Sequence, residues 1–192
     1  MLLKLDVVYS IRIVSRLRVV SEAAEYSVVE TLRSGRQVEI RALRPDDRAG
    51  LVAAVGRASA QSLFRRFFAA KRGFTEQEIA FFVNVDFINH VALVAMVEEG
   101  ERSVIVGGGR YIVGQPGTAE VAFAVVDEHQ GQGIGAALMR HLATIARRSG
   151  LHELIAEVLP ENVSMLKVFE NSGFHFTKKR TSECVHVALS LS

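Results

Sequence analysis

The residues Gln130 to Gly135, which read Gln-Gly-Gln-Gly-Ile-Gly, have the types and spacing best suited to chemistry in this chain. An apolar, β-branched run ending at Val126 precedes them, and a helical pattern beginning at Ala136 follows. Glycine adopts positive φ angles at little cost, so successive backbone N–H groups can converge on one point. The first turn of the helix adds unpaired donors and the positive end of its dipole. The segment is therefore predicted to bind a phosphate or pyrophosphate.

Three phosphate-binding motifs differ in spacing, and two of them do not fit this loop. A P-loop requires Lys followed by Ser or Thr after its last glycine, whereas Ala136 follows Gly135 here. A dinucleotide-binding loop has the spacing G-x-G-x-x-G, whereas Gly131, Gly133 and Gly135 alternate. The remaining pattern, Gln/Arg-x-x-Gly-x-Gly/Ala, cradles the pyrophosphate of coenzyme A, and Gln130, Gly133 and Gly135 fit it. A tight turn whose glycines only allow close helix–strand packing is the structural alternative.

With two further segments, the loop resembles the GNAT superfamily of acyl-CoA-dependent N-acetyltransferases, over about residues 38–191. The segment Ala119 to Val126 and the loop after it resemble the fourth strand and the acyl-CoA loop of that family. Asn162, followed by Gly173 and Phe174, resembles its second motif, N-x(10)-G-F.

The N-terminal runs 40–47, 64–68 and 85–87 are similar to the protein-lysine acetyltransferase branch of the family. In that branch the domain is often fused to acyl-CoA-synthetase-like or cyclic-nucleotide-binding domains. We expect no such fused domain within these 192 residues.

The resemblance implies an α/β fold: a mixed, mostly antiparallel sheet, one parallel pair of strands that splay apart, and helices on both faces. Periodicity and capping signals agree with it. Strands are predicted at 38–43, 91–97, 103–112, 120–126 and 154–159, followed by two closing strands. Helices are predicted from Asp46 or Asp47 to residue 58, from Ser59 or Ser62 to 68, and at 75–82, 133–149 and 162–171. Gly107-Gly108-Gly109 indicates a bulge or a close backbone approach.

We expect one GNAT domain over residues 37–192, preceded by an N-terminal extension, 1–36, of uncertain structure. Within the extension, apolar residues alternate with polar ones between Tyr9 and Val19, which is typical of an edge strand.

The resemblance also implies acetyl-CoA as cosubstrate, with its pantetheine arm in the gap between the parallel strands. A backbone N–H near Phe123 to Val125 would polarise the thioester carbonyl. Asn162 would hydrogen-bond the arm, and the alternative is a plain helix cap. The residues predicted to contact the coenzyme are Val125, Val126, Gln130, Gly131, Gln132, Gly133, Ile134, Gly135, Ala136 and Asn162.

Glu120 is the candidate general base, because it stands where the lysine-modifying branch carries its catalytic glutamate. A base is needed because a lysine with a pKa of about 10.4 is mostly ammonium at neutral pH. The alternatives are that Glu120 is merely solvated and that His129 carries the proton. Where many GNAT enzymes have a tyrosine that protonates the leaving thiolate, this chain has Phe169. Water or the product ammonium would then supply that proton.

Composition excludes several classes of function. A net charge of +2 is too small to predict nucleic acid or a membrane surface as partner. Clusters such as Arg65-Arg66 are typical of solvated faces, although one of them could help to hold the ribose phosphate of coenzyme A. Charges interrupt the apolar N-terminus, so neither a spanning helix nor a signal peptide is predicted. Cys184 is the single cysteine, so we expect no disulfide, no Cys/His metal cluster and no metal. A reducing, cytoplasmic location fits.

The sequence therefore predicts an N-acetyltransferase that acts on a primary amine, foremost a protein lysine, with an acyl-CoA synthetase as one candidate partner. Two alternatives stay open. One is a small-molecule acetyltransferase acting on a polyamine, an antibiotic or a free amino acid. The other is a non-catalytic module that binds acyl-CoA as a sensor, because fold does not determine function.

Overall fold

A computed structural model describes residues 22–71 and 73–192. Its strands are β1 (Ser27–Thr31), β2 (Gln37–Ala42), β3 (His90–Glu99), β4 (Arg102–Gln115), β5 (Thr118–Val125), β6 (Glu153–Val158), β7 (His175–Arg180) and β8 (Val185–Ser190). Its α-helices are α1 (Arg48–Gly56), α2 (Ala60–Phe67), α3 (Glu76–Val83), α4 (Ile134–Arg148) and α5 (Val163–Glu170). Single 3₁₀ turns occur at Pro45–Asp47 and Asp127–His129. The elements predicted from residue 38 onward are confirmed, within a few residues at their ends.

The strands form one eight-stranded sheet in the order β1-β2-β3-β4-β5-β6-β8-β7. All neighbouring strands are antiparallel except β5 and β6, which are parallel. The predicted mixed sheet with one parallel pair is therefore confirmed. None of the described helices is long and apolar enough to cross a membrane.

The described part of the expected extension, residues 22–36, contributes to this sheet. Strand β1 pairs antiparallel with β2, from Ser27 opposite Arg41 to Thr31 opposite Gln37. The boundary expected between residues 36 and 37 lies in the turn that joins these strands. The edge strand predicted between Tyr9 and Val19 lies outside the described residues.

Apolar cores lie on both faces of the sheet. On one face, α4 buries Leu138 and Leu142 against strand residues such as Val121 and Phe123. On the other face, a smaller cluster packs beneath α1, and its buried members are Leu43, Ala92, Val94, Met96 and Ile105. The run 90–97 of β3 is buried throughout because both of its faces are covered, which explains why it is almost wholly apolar. Helices on both faces, as predicted, are confirmed.

Local capping signals fix where the helices begin and end. The side chain of Ser59 accepts a hydrogen bond from the backbone N–H of Ser62 at the start of α2. Thr75 and Glu78 form the predicted capping box at the start of α3. Helix α4 follows Gly133 and is ended by Gly150, both with positive φ angles.

Glycines in β4 allow both a bulge and a close approach, as predicted. The pairing of β3 with β4 shifts register next to Gly107, so that Val106 is the extra residue. Two residues on, a Cβ on Gly109 would lie 2.6 Å from Phe123 Cδ1 and 2.9 Å from Leu142 Cδ1. Gly109 therefore lets the Phe123 ring lie flat against the sheet beneath α4.

We expect Gly109→Ala to lower the free energy of unfolding by about 2 kcal/mol, because the new methyl group overpacks the core. Gly108→Ala is the matched control, since its Cβ would meet only the Leu93 carbonyl oxygen at 3.5 Å, an ordinary contact. Denaturant unfolding of both variants measures the difference. Equal stabilities would contradict this account of the glycine run.

Candidate active site

The parallel strands β5 and β6 separate soon after they meet. They pair only from Thr118 opposite Glu153 to Glu120 opposite Ile155. Beyond that point β6 continues to pair with β8, and β5 with β4. The edge of β5 that faces β6 is thus unpaired along the rest of the strand, and a gap opens between the two.

Main-chain groups of β5 face this gap. Val126 N–H donates to the Val106 carbonyl oxygen of β4 at 2.8 Å. Because successive residues direct their main-chain groups to opposite edges of a strand, Phe123 and Val125 direct theirs toward β6. The Val125 carbonyl accordingly accepts a hydrogen bond from Gln130 Nε2 at 3.0 Å instead of pairing with β4. An extended ligand chain could pair with this edge as an added strand does.

The loop from residue 130 to 136 connects β5 to α4 and forms a cradle of amides. Gly131 and Gly133 have φ angles of 74° and 94°, which only glycine adopts easily. In the described structure, no acceptor bonds the backbone N–H groups of residues 131–136. They stand at the positive end of α4, which has 15 residues, and line a cleft of about 1420 Å³. The cradle fits an anionic group such as a pyrophosphate.

Asp127 and Gln130 fasten α2 to this loop. The Asp127 carboxylate accepts hydrogen bonds from Ser59 N–H at 2.7 Å, Ser59 Oγ at 2.8 Å and Ser62 Oγ at 2.9 Å. Gln130 Nε2 donates to Ser62 Oγ at 3.0 Å. Burial acts to raise the pKa of Asp127, but these hydrogen bonds lower it overall. Asp127 is exposed, yet it ties this loop to the first turn of a helix that is distant in sequence.

His129 is held in a buried polar network. Its Nε2 atom lies 3.0 Å from Glu99 Oε1, and its Nδ1 atom lies 3.3 Å from Arg36 Nη1. Both ring nitrogens are therefore engaged, and the ring is only 5% exposed. The contacts favour a structural role for His129 over that of a second proton carrier.

Asn162 and Phe169 line the cleft from α5. Asn162 Oδ1 accepts a hydrogen bond from Met165 N–H at 3.3 Å, so the residue caps the helix, as one of the two interpretations predicted. Its side-chain NH₂ group has no protein partner among the described residues and faces the same cleft. The Phe169 ring is buried with its centroid 6.1 Å from that of Phe123, and it has no proton to donate.

Glu120 lies where the two strands part. Ala119 and Val121 point into the core beneath α4, so Glu120 points to the opposite face of the sheet. It is exposed there, and it lines both the large cleft and a shallower groove of about 390 Å³. Pairing aligns it in one row with Ile155 of β6, Ala188 of β8 and Thr177 of β7.

Five arginines line the cleft: Arg33, Arg65, Arg66, Arg110 and Arg140. Sequence reasoning did not predict the three that come from α2 and β4. Arg65 and Arg66 come from α2 and are half-buried, so their interpretation as a solvated face is wrong. Burial lowers the pKa of Arg66, which the charge of Glu120 partly offsets. Burial and the charge of Arg66 lower the pKa of Arg110 to about 9. The available signal was Arg110 itself, a cation in the middle of a strand whose other polar residues lie at its two ends.

The structure also brings Glu157, Cys184 and His186 together, with potential ligand atoms within 4.8 Å of one another. The sequence had predicted no such cluster. The Cys184 sulfur lies 3.5 Å from His186 Nε2, and His186 Nδ1 lies 3.3 Å from Glu157 Oε1. The imidazole thus links the thiol to the carboxylate through its two nitrogens.

The chain is similar to known acetyltransferases. The model of the acetyltransferase (GNAT) family matches residues 58–174. "Acetyltransferase PA5475" of Pseudomonas aeruginosa is 34% identical over 147 residues, which are 76% of this chain and 79% of that protein. "Acetyltransferase Pat" of Mycolicibacterium smegmatis is 31% identical over 144 residues, 74% of this chain but 42% of that longer protein.

Among solved structures, the crystal structure of the GNAT domain of S. lividans PAT aligns with a TM-score of 0.77 at 33% identity. The alignment covers 85% of this chain and 96% of that domain. The parted strands, the amide cradle and these matches agree, and the chain belongs to the GNAT acetyltransferase family, whose members transfer an acyl group from acetyl-CoA.

Proposed function

We propose that this acetyltransferase modifies the ε-amine of a protein lysine and that Glu120 is its general base. The observation that carries the proposal is the placement of Glu120. Its exposed carboxylate stands at the last paired position of β5, where the coenzyme cleft meets a groove that opens to solvent. A base in that place is within reach of both substrates.

In this proposal the amide cradle holds the pyrophosphate of acetyl-CoA. Gly131, Gln132, Gly133, Ile134, Gly135 and Ala136 supply their backbone N–H groups. The main-chain edge at Val125 receives the pantetheine arm, and the free NH₂ group of Asn162 donates to it. Val126, predicted to contact the coenzyme with Val125, directs its N–H to β4 instead. Gln130 holds the cradle in place and does not bind the coenzyme with its side chain, because that side chain already bonds Val125 and Ser62.

The reaction follows from this arrangement. Glu120 takes a proton from the acceptor ammonium, and the neutral amine attacks the thioester carbonyl carbon. A backbone N–H at Phe123 or Val125 stabilises the oxyanion that forms. The C–S bond then breaks, and the thiolate takes a proton from water or from the product ammonium, because Phe169 cannot give one.

The open face beside Glu120 supports a protein as acceptor. Beyond the row of Ile155, Ala188 and Thr177 lies a second row formed by Glu157, His186 and Lys179. Most of these side chains are exposed, and no described helix covers them. A lysine on the surface of a folded protein can reach Glu120 across such a face.

The arginines of the cleft disfavour cationic small molecules. Arg66 and Arg110 would repel a polyamine or an aminoglycoside more than a single lysine ammonium, since those molecules bring several positive charges into a partly buried site. An exposed carboxylate at the reacting end also favours an enzyme over a sensor that only binds acyl-CoA. The similarity of the N-terminal runs to the lysine-modifying branch supports the same acceptor class, with an acyl-CoA synthetase as one candidate.

The cradle is tested by Gly133→Ala. Both Gly133 and Gly150 have positive φ angles and room for a methyl group, so an alanine strains either position by about 1 kcal/mol. Only at Gly133 should this strain redirect the amides, and we expect acetyl-CoA affinity to fall about tenfold or more. Calorimetric titration compares Gly133→Ala with the control Gly150→Ala. Equal affinities would remove the loop from coenzyme binding.

The base is tested by Glu120→Gln. We expect turnover to fall about a hundredfold or more while the affinity for acetyl-CoA is retained, because only proton transfer is lost. The control is Glu153→Gln, which removes a carboxylate near the start of β6 on the same face of the sheet. Steady-state kinetics and calorimetry measure the two effects. Wild-type turnover in Glu120→Gln would exclude Glu120 as the base.

The acceptor class is tested by mass spectrometry with isotope-labelled acetyl-CoA. Candidate acceptor proteins and a mixture of polyamines, aminoglycosides and free amino acids are incubated separately with the enzyme. We expect label on lysine side chains of a protein, because the groove beside Glu120 is open. Label found on small amines alone would overturn the proposed acceptor.

A further inference from the structure

Three of the five arginines that line the cleft, Arg65, Arg66 and Arg110, lie on the side of the sheet to which Glu120 points. Arg110 of β4 pairs with Ala122 of β5, whereas Glu120 pairs with Ile112. Arg110 and Glu120 are therefore diagonal neighbours on adjacent strands, with Cα atoms about 7 Å apart. Arg66 of α2 lies close enough to both for its charge to affect them.

No carboxylate in the described ranges forms an ion pair with these arginines. Arg66 lies 4.8 Å from the centroid of the Phe67 ring, and Arg110 lies 4.5 Å from that of Phe82. Within residues 22–71 and 73–192, the buried Nε atom of Arg65 has no hydrogen-bond partner. The cluster therefore presents donors and positive charge that no carboxylate pairs directly, and Glu120 offsets the charge of Arg66 without an ion pair.

His90 does not neutralise the cluster. Arg110 Nη1 lies 2.9 Å from His90 Nε2, and its second contact is the Phe82 carbonyl oxygen at 3.4 Å. Burial and the charge of Arg110 lower the pKa of His90 to about 4, so the ring is neutral and accepts the hydrogen bond. Glu120 is a single carboxylate beside three arginines, so the positive charge is only partly compensated. Uncompensated cations in a cleft destabilise the fold, and a bound anion would relieve that cost.

The acceptor is the substrate that can supply this anion. The phosphates of acetyl-CoA are assigned to residues 131–136, at the other end of the cleft from Glu120. The arginines lie beside Glu120, and Glu120 deprotonates the amine of the acceptor. The arginines therefore contact the acceptor and not the phosphates of the coenzyme. In an extended peptide, residues two apart point to the same side and lie about 7 Å from each other. That spacing matches the separation of Arg110 from Glu120.

We propose that Arg66 and Arg110, with Arg65, form a subsite for a carboxylate of the acceptor: an aspartate or glutamate two residues from the lysine that is acetylated. This inference rests on the proposed function and adds the sequence context of the acceptor lysine. The arginines bind and orient the acceptor, and Glu120 takes the proton.

The test uses peptides that contain a single lysine and differ at one position, two residues from that lysine. This position holds Glu, Gln or phosphoserine. Wild type, Arg66→Gln and the control Arg102→Gln are compared by kcat/KM for each peptide. Arg102 is an exposed arginine at the start of β4, outside the residues that line the cleft. We expect wild type and Arg102→Gln to prefer Glu over Gln about tenfold or more, the usual scale for a charged hydrogen bond. In Arg66→Gln the preference should fall to about twofold or less.

Equal kcat/KM values for the Glu and Gln peptides with wild type would overturn the subsite. A phosphoserine peptide preferred over the Glu peptide would overturn its assignment to a carboxylate. Succinyl-CoA provides a further arm, because the arginines could instead read a carboxylate on the acyl group. A change in the succinyl-to-acetyl ratio in Arg66→Gln, with the peptide preference unchanged, would also contradict the proposal.

The failure of the proposed function and the failure of the subsite give different results. If no peptide is acetylated on lysine, the proposed function itself fails, and this inference fails with it. If circular dichroism shows that Arg66→Gln does not fold, the preference of the wild-type enzyme is measured at increasing salt concentration instead. Raising the salt concentration should then reduce the preference for Glu over Gln, because salt screens the charges involved. A preference that is independent of salt would contradict the subsite.

Discussion

The site depends on the point at which β5 and β6 stop pairing. Three residues of each strand are in register, and then the strands diverge. The divergence leaves the β5 edge near Val125 without a partner strand and opens the cleft between β5 and β6. It places Glu120 where the cleft meets the shallower groove. It also leads β5 directly into the amide cradle and α4. A sheet that continued to pair here would have neither a binding edge nor an entrance for a second substrate.

The helix α2 links the two ends of the cleft. Asp127 and Gln130, next to the cradle, hold the N-terminal turn of α2 through Ser59 and Ser62. The C-terminal part of the same helix carries Arg65 and Arg66 toward Glu120. One short element thus sets the distance between the cradle and the two arginines Arg65 and Arg66. A shift of α2 would move both regions together, because the carboxylate of Asp127 bonds its first turn at three points.

Local sequence signals predicted the elements and the cradle well, because those signals act within a few residues. Apolar periodicity, the capping box at Thr75 and the glycines before α4 each determine nearby backbone, and the structure agrees with them. The roles of Asp127 and His129 could not be predicted in this way, since their partners lie 30 to 93 residues away. The same limit applies to Arg65 and Arg66. Two adjacent arginines are typical of a solvated surface, and only the packing of α2 against β5 turns them inward.

The arginines also bear on the chemistry that Phe169 cannot perform. In the proposed complex one acceptor carboxylate offsets only part of the charge of Arg65, Arg66 and Arg110. The remaining positive charge would lower the pKa of the acceptor ammonium, since like charge disfavours the protonated form. Glu120 then removes a proton that is already more acidic. The same positive charges favour a departing thiolate, whose parent thiol has a pKa of about 8.5. A general acid is therefore less necessary in a site with two cations near the base than in an uncharged site. In the proposed reaction, charge placed by α2 and β4 takes over part of the task of the missing tyrosine hydroxyl.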